Sequence, residues 1–129
     1  MNNNSPYIPG LCNIGQVEIK VRLVMCLTTA ILSIGLLSFF IAFPQHWIVA
    51  VLFFLSLSNF ILTLLQVKYR FCVKYAFDGV FNFSEFGNKQ EVGNPQFHKI
   101  DKQRARKFII GSYLVGLIVT IAVYWLFAS

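Results

Sequence analysis

Charge is missing from most of this chain. Residues 23–43, 47–67 and 108–127 contain no Asp, Glu, Lys or Arg, and only 12% of all residues are charged. Soluble domains carry about 25% charged residues. A chain of 129 residues has too little sequence to surround three all-round apolar helices, which excludes a soluble bundle. Without an ionisable group inside the three runs, proton or ion coupling within a bilayer is also disfavoured. No CxxC or HxxxH spacing occurs, so neither a zinc site nor a redox dithiol is written locally. No Gly-rich phosphate loop, paired carboxylate or nucleophile–base arrangement stands out, and the expectation is a non-enzymatic protein without a cofactor.

What the chain does have is apolar length. The composition is 57% hydrophobic, with fourteen Phe. Each uncharged run is about 20 residues, or roughly 30 Å as a helix, the thickness of a bilayer's hydrocarbon core. The expected fold is an all-α membrane protein with three transmembrane helices, at 23–43, 47–67 and 108–127. The 129 residues read as one integral-membrane unit without internal repeat, and three spans disfavour a single-chain inverted-repeat transporter.

The basic residues set an orientation. Lys20 and Arg22 precede the first run, and the other nine Lys and Arg lie between positions 68 and 107. The positive-inside rule then places residues 1–12 (an irregular lead-in) and 68–107 in the cytoplasm, with the C-terminus outside. The same rule accounts for the net charge of +6 without nucleic acid, and it favours contact with anionic head groups as well as membrane lipids generally. Residues 1–10 are polar and lack a positive n-region, so the first helix is expected to remain as a signal anchor.

Local signals mark the path of the chain. Asn13 reads as an N-cap with Gln16 as its capping-box partner, and Glu18 and Arg22 read as an i,i+4 surface pair. Pro44-Gln45-His46 is short enough to force an antiparallel hairpin, with Trp47 as an interfacial aromatic. The second helix is expected to continue through Tyr75, broken by Asp78-Gly79. Residues 71–86 mix rings with Lys74, Asp78 and Glu85, which predicts a segment lying at the interface over the inner helix ends, or a docking surface for another protein. Residues 87–93 read as a polar loop. Asn94 and Pro95 restart a basic helix that runs into the third span.

Polar residues within the runs supply the candidate sites. Ser56, Asn59, Thr63 and Gln66 share one quadrant of the second helix. They serve either as interhelical hydrogen-bonding groups or as one wall of a polar pathway centred on Asn59. Ser112, Gly116 and Thr120 form a small-residue stripe on the third helix. Thr28, Gly35 and Ala42, with Ser38, offer a similar face on the first. Cys12, Cys72 and His98 are the weak candidates for a thiol or metal site, Cys26 reads as a packing residue, and His46 stands alone.

Cys12-Asn13-Ile14-Gly15 followed by Glu18 and Arg22, then Gln66, Phe71-Cys72-Val73 and Gly79-Val80-Phe81-Asn82-Phe83, resemble small uncharacterised bacterial integral-membrane proteins. These share a CxNIGxxE…R start and an FCV…GVFNF loop, and the likeness covers the N-terminal two-thirds of the chain. It implies a bacterial inner-membrane setting. It also groups Cys12, Asn13, Glu18, Arg22, Gln66, Cys72 and Asn82 as one cytoplasmic-face cluster. The leading functional expectation is an accessory or assembly subunit that contacts other membrane subunits or itself. A homo-oligomeric channel or small-solute transporter, and a thiol or metal sensor, are the alternatives.

Overall fold

The computed structural model describes residues 7–129, so the first half of the expected lead-in lies outside the described residues. Three helices are long and apolar enough to cross a membrane: α1 (Gln16–Ala42), α2 (Trp47–Tyr69) and α4 (Pro95–Ala128). The protein is an all-α, three-span membrane protein. Between α2 and α4 lie a short helix α3 (Val73–Asp78) and two two-residue strands, β1 (Val80–Phe81) and β2 (Gln90–Glu91). The strands pair antiparallel, Val80 with Glu91 and Phe81 with Gln90.

Pro44 and Gln45 form the turn that reverses the chain from α1 into α2. α2 then packs against both α1 and α4 and is the middle helix of the three. The buried face of α1 is Cys26, Ser33 and Phe40, seven residues apart. This differs from the expected packing face, because Thr28, Gly35, Ser38 and Ala42 all point outward and are exposed. Both lines have the same heptad spacing, so periodicity could not choose between them. Ser33 Oγ meets Ser56 Oγ at 2.8 Å, and a polar contact to α2 decides the rotation.

α4 packs through Ala105, Phe108, Ser112, Gly116 and Thr120, one continuous face. Ser112 Oγ and Thr120 Oγ1 donate to carbonyls one turn back, at 2.7 Å to Phe108 and 2.8 Å to Gly116, so neither leaves a polar group bare in the apolar layer. Gly116 is a true close approach. A Cβ there would stand 3.3 Å from Ser58 Cα and nearer still to Ser58 Oγ. The small-residue stripe of α4 therefore meets α2 of the same chain.

The basic end departs most from the expected path. α2 does not continue to Tyr75. It ends at Tyr69, with Arg70 left-handed at φ 51°, and α3 begins three residues later. The reason is the demand for carbonyl acceptors: Arg70 O receives both Asn13 N (3.1 Å) and Ile14 N (3.3 Å), which a continuing helix would forbid. Gly79, left-handed at φ 71°, ends α3 as the Asp78-Gly79 break required. Asn94 caps α4, its Oδ1 accepting Gln96 N at 2.9 Å, with Pro95 in the first turn.

Residues 71–86 cover the basic ends of the helices, but their rings pack into the protein more than the interfacial reading implied. Phe71 and Ala76 pack with Ala105 and Phe108 of α4, while Tyr75 and Cys72 pack with Ile14. Phe77 and Phe86 alone among the large apolar side chains of this segment stay exposed. The result is a small non-membrane core set on one end of the three spans.

Candidate functional site

Asn13 is not the N-cap of α1; Gly15 occupies that position, without a side-chain cap. The Asn13 side chain instead bonds the backbone of Cys72 from both ends of its amide. Nδ2 donates to Cys72 O at 3.0 Å, and Oδ1 accepts Cys72 N at 2.6 Å. A primary amide presents one donor and one acceptor side by side, as a peptide group does, so Asn13 pairs with α3's first turn as a strand neighbour would. Its own backbone is held too: Asn82 N donates to Asn13 O at 2.9 Å, and Gly15 N donates to Asn82 O at 2.8 Å. A Cβ on Gly15 would lie 2.9 Å from Phe83 Cα, so only glycine lets the two chains run this close.

Glu18 stands one turn further along α1 and is 1% exposed. Its Oε1 accepts Tyr75 OH at 2.7 Å and Asn82 Nδ2 at 3.0 Å, with Gly87 N at 3.4 Å. Asn82 is saturated from both ends. Nδ2 also reaches Glu85 O at 2.8 Å, and Oδ1 accepts Ser84 N at 3.0 Å and Ser84 Oγ at 3.2 Å. Burial, and then the bond to Glu18, push the Tyr75 phenol up to about 12. Arg22 is not the surface partner of Glu18. It donates from Nη2 to Cys72 Sγ at 3.0 Å and from Nη1 to Met25 Sδ at 3.5 Å. Its separation from Glu18 follows from burial, since Glu18 turns into the polar core while Arg22 reaches over its edge.

The polar core therefore joins Asn13, Glu18, Arg22, Cys72 and Asn82 from the lead-in, α1, the residue that precedes α3 and the residue that follows β1. Gln66 contributes from α2, its Oε1 accepting Val73 N at 3.3 Å. Cys12 lies beside Asn13, in a turn where Ile8 and Cys12 exchange backbone bonds of 3.1 Å each. His98 is not brought to Cys12 and Cys72. Its Nε2 bonds Phe77 O at 3.1 Å, and its ring covers Gly79. Among the described residues no three His, Cys, Asp or Glu side chains converge to hold a metal ion.

The α2 stripe is split. Ser56, Thr63 and Gln66 are buried, whereas Asn59 is exposed. Thr63 Oγ1 bonds within its own helix, to Asn59 O at 2.9 Å and Phe60 O at 3.0 Å. Asn59 Nδ2 donates back to Leu55 O at 2.9 Å, and Asn59 lines a groove of about 440 Å³ between α1 and α2.

Two buried groups lie outside what sequence reasoning singled out. Asp101 is wholly buried, accepting Tyr7 OH and Gly10 N at 2.6 Å each. This pins the lead-in to α4, and burial followed by the Asp101 bond holds the Tyr7 phenol well above its ordinary range. A lone acid within a strongly basic helix was the available signal. Ser58 is the other: its Oγ is buried against Gly116 and has no hydrogen-bond partner.

In class this is a three-span membrane bundle with a hydrogen-bonded polar latch at its basic end. Compared with protein-family models, with curated proteins and with solved structures, the chain finds no match.

Proposed function

We propose that this protein is a non-enzymatic accessory or assembly subunit of a larger membrane complex. The observation that carries the reading is Asn59. A primary amide in the middle of a span and exposed to the apolar layer is unfavourable facing lipid and favourable against another polar helix. The groove beside it is walled by Met25, Thr29, Leu32, Leu55 and Thr63, a shape that suits a transmembrane helix of a partner. The adjoining outer face of α1 offers Thr28, Gly35 and Ala42, and nothing lies within 4 Å of a Cβ built on Gly35. Close backbone approach by a neighbour is open there.

The hydroxyls beside Asn59 in the groove are already bonded, Ser56 to Ser33 and Thr63 to carbonyls of its own helix, which favours a docking role over a channel. The buried Cys72 thiol and the placement of His98 give a thiol or metal sensor no support. The resemblance of the CxNIG and GVFNF segments supports a bacterial inner-membrane setting. The distribution of Lys and Arg favours a cytoplasmic latch and an external Ser129.

Extraction from native membranes in mild detergent tests the reading. Wild type is expected to migrate in a complex of defined composition, and Asn59→Leu to leave it as a folded monomer. A wild-type monomer, or an Asn59→Leu protein that stays in the complex, refutes it. A complex made of this chain alone, with solute flux in liposomes that Asn59→Leu abolishes, establishes the channel instead.

A further inference from the structure

α4 passes from a basic surface to an apolar one between Lys107 and Phe108. At that boundary lies a cleft of about 260 Å³, lined by Gly10, Ile100, Gln103, Arg104, Lys107 and Phe108. Arg104 is its fixed element. The guanidinium lies 5.1 Å from the Tyr69 ring centre, 5.9 Å from Phe71 and 5.1 Å from Phe108. Three aromatic faces hold the cation in place and satisfy none of its N–H donors along their bonding directions. Arg104 Nε is buried and has no hydrogen-bond partner. The acid nearest in sequence, Asp101, is already committed to Tyr7 and Gly10 through both oxygens.

A preorganised guanidinium with an unpartnered Nε, a second cation one turn along the same helix and an amide beside them match the oxygens of a phosphate group. The other side chains that line the cleft, Ile100 and Phe108, are apolar and suit the hydrocarbon next to a lipid head group. We infer that this cleft binds the head-group phosphate of an anionic glycerophospholipid, between Arg104 and Lys107, with Gln103 as a further donor. The net charge of the surrounding helix selects against a zwitterionic head group. Lys99, Lys102, Arg104, Arg106 and Lys107 face one acid, Asp101, and a head group that brings its own cation meets repulsion. The site rests on α4 crossing a membrane here. It does not depend on any partner at Asn59.

The full chain in a neutral detergent, titrated with short-chain phosphatidylglycerol or phosphatidylcholine, tests the site through native mass spectrometry and thermal unfolding. Phosphatidylglycerol is expected to bind at about one equivalent and to raise the unfolding temperature, whereas phosphatidylcholine does neither. Lys107→Gln is expected to weaken binding about fivefold, the scale of one basic residue at a membrane surface. Arg104→Gln abolishes it. Because Arg104 also packs on three rings, the exposed Lys107 and Gln103→Ala carry the test if Arg104→Gln does not fold. Lys20→Gln, on α1, leaves binding unchanged. Equal response to the two lipids overturns the site, as does a loss in Lys20→Gln matching that in Lys107→Gln. Displacement of the lipid by millimolar inorganic phosphate overturns the lipid assignment in favour of a soluble phosphate.

Discussion

Replacing Glu18 separates a structural latch from a surface ion pair. Oε1 of Glu18 holds Tyr75 OH at 2.7 Å and Asn82 Nδ2 at 3.0 Å, with the carboxylate 1% exposed. In Glu18→Ala, Tyr75 OH and one N–H of the buried Asn82 amide lose their acceptor, while the other N–H keeps Glu85 O at 2.8 Å. A buried donor without a partner costs about 1–3 kcal/mol, and the space left by the carboxylate and its methylenes adds about 1 kcal/mol. The expected loss is about 3 kcal/mol. Glu18→Gln retains an acceptor oxygen and loses only the assistance of the charge, about 1 kcal/mol. Tyr75→Phe removes one of these stranded donors, so the Glu18→Ala/Tyr75→Phe pair should be less damaging than the sum by about 1–2 kcal/mol. Reversible unfolding in mixed micelles measures all four proteins. A Glu18→Ala protein within about 0.5 kcal/mol of wild type matches a solvated surface pair and refutes the latch. Strict additivity with Tyr75→Phe refutes the assigned bond.

Gly116→Ala should cost about 1–3 kcal/mol, because the new methyl meets Ser58. Ser58→Ala alone should be near neutral, since its buried Oγ has no partner to lose, and it should recover part of the Gly116→Ala loss; unfolding of the double variant checks this. Tyr75 predicts an alkaline limit. Its folded pKa lies above the ordinary value of 10.0, so its neutral form contributes stability that is complete below pH 10 and lost as pH rises towards about 12. Stability measured against pH should fall across that window, and Tyr75→Phe should fall less steeply.

Three membrane-spanning helices were legible in the sequence because a bilayer imposes a one-dimensional rule. About 20 consecutive residues without charge satisfy it whatever lies beside them. The cap at Asn94-Pro95 and the break at Gly79 were legible for a related reason, since each depends on the local backbone alone. Glu18 and Asn13 show where local reading fails. The spacing from Glu18 to Arg22 permits an ion pair, and Asn13 followed by Gln16 permits a capping box. Both rules treat α1 as an isolated helix, and neither includes Cys72, Tyr75 or Asn82, which lie more than fifty positions away and supply the stronger partners.

Sequence alone determined that the chain is a greasy three-span bundle whose basic residues collect at one end. These follow from composition and length, which no contact can alter. Tertiary structure decided which of two heptad lines on α1 is buried, that the α4 stripe meets Ser58 within the chain, and that Asn59 alone of its stripe remains open. Helical spacing fixes which residues share a face. Only the neighbouring helix, through a bond such as Ser33 to Ser56, fixes where that face points.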